Sequence, residues 1–149
     1  MKNGTIEVLG IKVPIKITGE QIKTYGIDST YMTIGGVGSV IRQSIKYLKS
    51  IGEICYEKLW VRSESYSGGN SVKVYLMSAD ESTMESVDSL MNGFEYGNFD
   101  PMIDLYNYKE HQNHLKFNDG SKIECSTKYG FVNSRPPYGV KEYELHNMS

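Results

Sequence analysis

Three groups of residues in this chain carry side chains suited to chemistry or recognition. The first is acidic and imidazole-bearing: Asp100, Asp104, Glu110, His111, His114 and Asp119. His111 and His114 are three apart, a spacing that on a helix sets both rings on one face beside Glu110. With Asp100 and Asp104 they could form the centre of a metal-dependent nuclease. Zinc, however, needs a third ligand, and the chain has no helical H-E-x-x-H and no paired cysteines. Asp100-Pro101 and Asp119-Gly120 also read as turn chemistry, and His146 as a solvent-exposed residue. No Ser/His/Asp or Cys/His arrangement has a local signature. Catalytic residues, a cofactor and a metal are therefore not expected, and the protein reads as a non-enzyme.

The second group is basic. Arg42, Lys46 and Lys49 share one helical face, and Tyr56, Lys58, Trp60 and Arg62 follow closely. A basic face with interleaved aromatics is how a nucleic-acid groove is built; a solvated helix face beside a packed Trp60 accounts for the same residues. Nearby, Gly35-Gly36-Val37-Gly38-Ser39 opens a helix, where backbone N–H groups can receive a phosphate. It fits neither G-x-x-x-x-G-K-[ST] nor G-x-G-x-x-G, so it reads as a flexible entry to the helix.

The third group is tyrosine, with 12 Tyr against 4 Phe and 1 Trp. Tyrosine offers large contact area at low entropic cost and keeps a polar tip, which suits a binding surface. An AT-rich coding genome raises the same count together with Ile, Lys and Asn.

These residues must be positioned by one domain's worth of chain. The length is 149 residues, 39% hydrophobic and 23% charged, with a formal net charge of -2. That balance excludes attachment to DNA by bulk positive charge and is too mild for an acidic DNA mimic. Cys55 and Cys125 are too few for a disulfide framework, which fits a reducing cytoplasm. The opening MKNGTIEVLG lacks the apolar core of a signal peptide and no apolar run approaches membrane-spanning length, so a soluble, intracellular protein is expected.

Alternation of Ile11, Val13, Ile15 and Ile17 predicts a strand, and Pro14 places it at a sheet edge. Thr5 to Leu9 predicts a shorter strand that could form a hairpin with it. Residues 19 to 36 read as loop with a short helix. Val37, Ile41, Ile45 and Leu48 predict a helix that Gly52 stops. Cys55, Leu59 and Val61 are expected on one face of the next strand, with Tyr56, Lys58, Trp60 and Arg62 on the other. Ser67-Gly68-Gly69-Asn70 turns it into a returning strand through Val72, Val74 and Leu76. A second helix starts at Ser78 to Glu81 and ends at Asn92-Gly93. Short strands follow at Phe94 to Tyr96, Met102 to Tyr108, Leu115 to Phe117, Ile123 to Ser126 and Tyr129 to Val132, and then a tail over 138–149. The order predicts a single α+β domain over 1–149, an antiparallel sheet with two helices packed on one face.

Residues 37 to 135 resemble a known family. The matching text is Val40-Ile41-Arg42 with Ile45-Lys46, then the string Val61-Arg62-Ser63-Glu64-Ser65-Tyr66-Ser67-Gly68-Gly69-Asn70-Ser71-Val72-Lys73-Val74. It continues with Phe99-Asp100-Pro101-Met102-Ile103-Asp104 and ends near Phe131-Val132-Asn133-Ser134-Arg135. The string is similar to the V-R-S-x-x-Y-S-G-G-x-S-[IV]-x-V of the large polyvalent protein-associated domains, the twenty-ninth of that series. The chain departs from the family where Pro101 stands for the usual Gly, where Tyr75 to Asp80 replaces W-T-D-G-P, and where Ser50 to Glu57 lengthens the bridge that usually runs through F-P-G.

The resemblance implies a phage or conjugative-element protein that blunts host defence. On it rests the leading expectation, a counter-defence inhibitor that binds a host defence protein in the bacterial cytoplasm. The first candidate target is a CRISPR effector nuclease. Tyr66 and Asn70 at the hairpin tip, with Tyr96, Asp100, Asp104, Tyr106 and Tyr108, are the expected partner-binding residues. The tip is a polar loop on a rigid hairpin, where recognition often resides, although its glycines equally serve the turn. The alternatives are a nucleic-acid-binding accessory protein using Arg42, Lys46, Lys49, Lys58, Trp60 and Arg62, and a metal-dependent nuclease centred on Asp100, Asp104, His111 and His114.

Overall fold

Strict alternation makes residues 2–17 a hairpin. A computed structural model of the chain describes residues 2–25, 29–67, 69–95, 99–100, 105–106 and 114–137. In it β1 (Lys2–Val8) and β2 (Ile11–Ile17) pair antiparallel, with Thr5 opposite Pro14. The two-residue turn at Leu9-Gly10 takes φ of 50° and 77°, the left-handed pair that matches strand twist. Pro14 sits on an edge strand as expected, because β2 ends the four-stranded order β10-β9-β1-β2.

Residues 19 to 36 differ from the expected loop. Gly19–Gln21 forms one 3-10 turn, and β3 (Ile22–Tyr25) pairs antiparallel with β4 (Ser29–Met32). Helix α1 then begins at Ile34, earlier than expected, and runs to Ser50. Thr33 caps it, its hydroxyl accepting from the Gly36 N–H at 3.1 Å. The glycines at its start are a packing device: a Cβ on Gly36 would lie 2.7 Å from Met32 Cγ and 3.0 Å from the Gln21 carbonyl oxygen. Gly52, at φ +83°, ends the helix as expected. The Glu53 N–H reaches the Leu48 carbonyl and the Gly52 N–H the Lys49 carbonyl, a Schellman closure.

The hairpin β5 (Lys58–Tyr66) and β6 (Gly69–Met77) pairs antiparallel from Lys58 opposite Met77 to Tyr66 opposite Gly69. Asp80 caps α2 (Glu81–Phe94), its carboxylate accepting from the Thr83 N–H at 2.8 Å. The helix continues through Asn92-Gly93 to Phe94, so no strand begins there. Glu95 makes only an isolated bridge to Thr127.

β7 (Phe99–Asp100) and β8 (Leu105–Tyr106) form a short ladder. β9 (His114–Phe117) and β10 (Lys122–Glu124) join β1. β11 (Tyr129–Asn133) adds to β6 in parallel, giving the three-stranded order β11-β6-β5.

The α+β class holds, and the arrangement is more divided than one antiparallel sheet. There are two main sheets among the described residues, and β6–β11 is a parallel pair. Both helices cover the same face of the three-stranded sheet. A Cβ on Gly38 of α1 would lie 3.4 Å from Ser63 Cβ, and one on Gly130 would lie 2.8 Å from Met91 Cε of α2. The other flank of α1 meets β2. There the Gln43 amide accepts from the Lys16 N–H and donates to the Lys16 carbonyl, each at 2.8 Å. A side chain thus substitutes for the strand neighbour that β2 lacks. One core joins the layers: Ile6, Val13 and Ile15 from the first sheet, Val37, Ile41 and Ile45 from α1, and Val72, Val74 and Leu76 from β6.

Candidate functional site

Side chains alternate across a sheet, so the three strands that bury Val61, Val72, Val74 and Val132 under the helices present their other residues outward. Register then decides which of those meet. Trp60 lies opposite Tyr75, Arg62 opposite Lys73 and Glu64 opposite Ser71. On the parallel side Tyr129 lies beside Ser71, Phe131 beside Lys73 and Asn133 beside Tyr75. Glu64, Tyr66, Ser71, Lys73, Tyr75, Phe131, Asn133 and Arg135 line a groove of about 380 Å³ on this outer face.

The groove has two wet rings and a charged floor. Tyr66 is 46% exposed and Phe131 48%. The Tyr66 hydroxyl donates to the Asn70 carbonyl at 3.4 Å, which steers the ring across the hairpin tip. Lys73 forms an ion pair with Glu64 at 3.6 Å. The Arg135 guanidinium stacks 5.4 Å from the centre of the Tyr75 ring, and Tyr75 is only 7% exposed. At the tip end the Lys128 ammonium stands 5.6 Å from the Tyr129 ring, and its chain passes over Gly69.

Asn70 is a strut rather than an open contact. Its side-chain oxygen accepts from the Thr127 hydroxyl at 3.0 Å and the Lys128 N–H at 2.8 Å. These bonds fasten the entry of β11 to the hairpin and so fix both walls of the groove. Of the other expected partner-binding residues, Tyr66 lies on the groove, and Asp100 and Tyr106 belong to β7 and β8. Tyr96, Asp104 and Tyr108 lie outside the described residues.

The expected basic and aromatic stripe is not one surface. Lys58 and Trp60 are 7% and 3% exposed, because both sides of β5 are covered at its start. Cys55 and Tyr56 reverse their expected sides, Cys55 exposed and Tyr56 buried. Burial pushes the Tyr56 phenol above its ordinary pKa, with Arg42 pulling it back, and the Lys49 ammonium sits 4.4 Å over the ring. Lys46 and Lys49 are exposed on α1 and Arg42 is half-buried in the crease between α1 and β5 beside Val61 and Ser63, whereas Arg62 points to the opposite face of the sheet.

Of the acid and imidazole group, Asp104 and Glu110 lie outside the described residues. His114 is in β9 opposite Glu124, on the other sheet, and His111 lies outside the described residues. Among the described residues no three His, Cys, Asp or Glu side chains come together as metal ligands. Cys125 is buried, which drives its thiol far above the ordinary value, with Glu124 adding to the shift. No helix of the described residues is long and apolar enough to cross a membrane.

Glu64, Lys73, Phe131, Asn133 and Arg135 were not among the expected site residues. Their signal was present: Lys73 stands between Val72 and Val74, Phe131 and Asn133 flank Val132, and Glu64 and Arg135 lie in the same two motif strings at 61–74 and 131–135. A family model described as large polyvalent protein associated domain 29 matches residues 58–138. No curated protein and no solved structure matches the chain. Every residue lining the groove falls within the matched segment.

Proposed function

The chain belongs to the large polyvalent protein associated domain 29 family, which associates it with phages and mobile elements. From that premise we propose that it is a counter-defence protein that acts by binding, engaging a host defence nuclease through the outer face of its three-stranded sheet. A CRISPR effector is the first target to test. The observation that carries this reading is the convergence of the two motif strings. Their inward residues build the core, and their outward residues build one groove with two exposed rings.

The mechanism asked of this surface is occlusion. Large rings that are already held in place lose little conformational freedom when they are covered, so they make efficient anchors. A three-stranded sheet face with its flanking tip is of a size to bury the ~800 Å² per partner of a standard interface. A protein seated on a nuclease channel, or across a domain that must move, stops turnover without altering a covalent bond.

The purified protein, titrated against a panel of defence nuclease complexes, is expected to bind and inhibit at least one at micromolar concentration or below. The double variant Tyr66→Ala with Phe131→Ala is expected to lose that effect while keeping its far-ultraviolet circular dichroism. The reading fails if no complex is bound or inhibited, or if the double variant inhibits as well as the parent.

A further inference from the structure

The chemistry of the outer face is more specific than a generic contact surface. Tyr129 and Phe131 are two residues apart on one strand, so their rings project from the same face about 7 Å apart. Tyr66 adds a third ring across the sheet at the hairpin tip. Cations run through and around this row: Arg62 opposite Lys73 in the middle, Lys128 at the tip and Arg135 at the far end. Among the described residues lining the groove Glu64 is the carboxylate, and it pairs with Lys73 at 3.6 Å. Rings for bases and cations for phosphates, on the part of the sheet face that is open toward the hairpin tip, are what a single strand of nucleic acid requires.

We propose that the outer face of the β5-β6-β11 sheet binds single-stranded nucleic acid, stacking two or three bases on Tyr66, Phe131 and Tyr129 and holding the backbone with Arg62, Lys73, Lys128 and Arg135. A duplex does not fit this role, because its bases are stacked on each other and offer no ring face to the protein. The chain's formal charge of -2 does not oppose it, since the attraction is local to this strip. The inference rests on the reading that this face is the recognition surface, and it names the chemistry recognised: the exposed strand held by a defence complex rather than its polypeptide.

Fluorescence anisotropy with labelled oligothymidylate and oligouridylate of about twelve nucleotides tests it. Micromolar binding is expected at about 50 mM salt, weakening with a log–log slope of about -3 as salt rises. Tyr66→Ala and Phe131→Ala should each weaken binding about tenfold, and Phe131→Tyr, which keeps a ring, should not. Lys73→Gln with Arg135→Gln should flatten the salt slope by about one. Binding of either oligonucleotide supports the inference, and the ratio of the two affinities shows whether the ribose hydroxyl is read. Absence of binding to both, or a matched duplex binding equally well, or aromatic variants that bind like the parent, overturns it. If a nuclease complex is inhibited while neither oligonucleotide binds, the contact is with polypeptide and only this inference falls. If oligonucleotides bind while no complex is inhibited, the counter-defence reading falls and the nucleic-acid site stands.

Discussion

The two main sheets have covered faces of the same kind and exposed faces of different kinds. The four-stranded sheet turns Ile6, Val8, Val13 and Ile15 inward and shows water Thr5, Glu7, Lys12, Pro14, Lys16 and Lys116. Its exposed residues are small or charged, and Glu7 lies opposite Lys12. The three-stranded sheet turns valines and Leu76 inward and also covers Trp60, Ser71 and Tyr75 on its other side, yet toward the hairpin tip it shows water two half-exposed rings beside a stacked arginine. Folding requirements explain both inner faces and the first outer face. They do not explain the second, because exposed rings add little to stability and invite association. The contrast is the ground on which the three-stranded outer face is proposed as the contact surface.

Substitutions on the two inner faces give the largest expected effect and should not distinguish the sheets. Leu76→Ala and Ile15→Ala, both at buried positions, should each lower unfolding free energy by about 2–5 kcal/mol in urea titrations. A cost under about 1 kcal/mol at either would show that one sheet is not part of the shared core. Next comes the junction between them. Gln43→Ala removes both bonds that close the β2 edge and should cost about 1–2 kcal/mol. It should also accelerate amide exchange at Lys16, and unchanged exchange there would mean that the edge is protected otherwise. The smallest stability effects sharpen the contrast most. Phe131→Ala and Lys12→Ala should each change stability by under about 0.5 kcal/mol. Only Phe131→Ala should impair binding to the target, and equal loss from both would erase the distinction between the two exposed faces.

Much of this was legible in the sequence because it rests on local rules. The alternation of Ile11 to Ile17 with Pro14 among them showed an edge strand, and Gly52 showed a helix stop. The turn signal at Ser67 to Asn70 set the long hairpin. The misreadings have physical reasons. Glycine at 35, 36 and 38 looks like loop, but Met32 and Gln21 press on the first turn of α1 so closely that Gly36 has no room for a side chain. Lys58 and Trp60 alternate like an exposed face and are buried, because burial on a strand's second side is not recorded in the strand's own periodicity. The division into two sheets, and the parallel partner of β6, depend on such long-range contacts and leave no periodic trace. For the same reason Phe131 and Arg135 could not be joined to Tyr66 in advance, although all three stand in the motif strings.

The parallel β6–β11 pairing has a consequence for how the molecule comes into being. A parallel neighbour cannot be supplied by a tight turn, so β6 waits for a strand synthesised long after it. Until Tyr129 to Asn133 emerge and the Asn70 strut closes on Thr127 and Lys128, the hairpin has one wall and no groove. The groove is therefore a long-range feature: the bonds that join its two walls span 57 and 58 residues of chain.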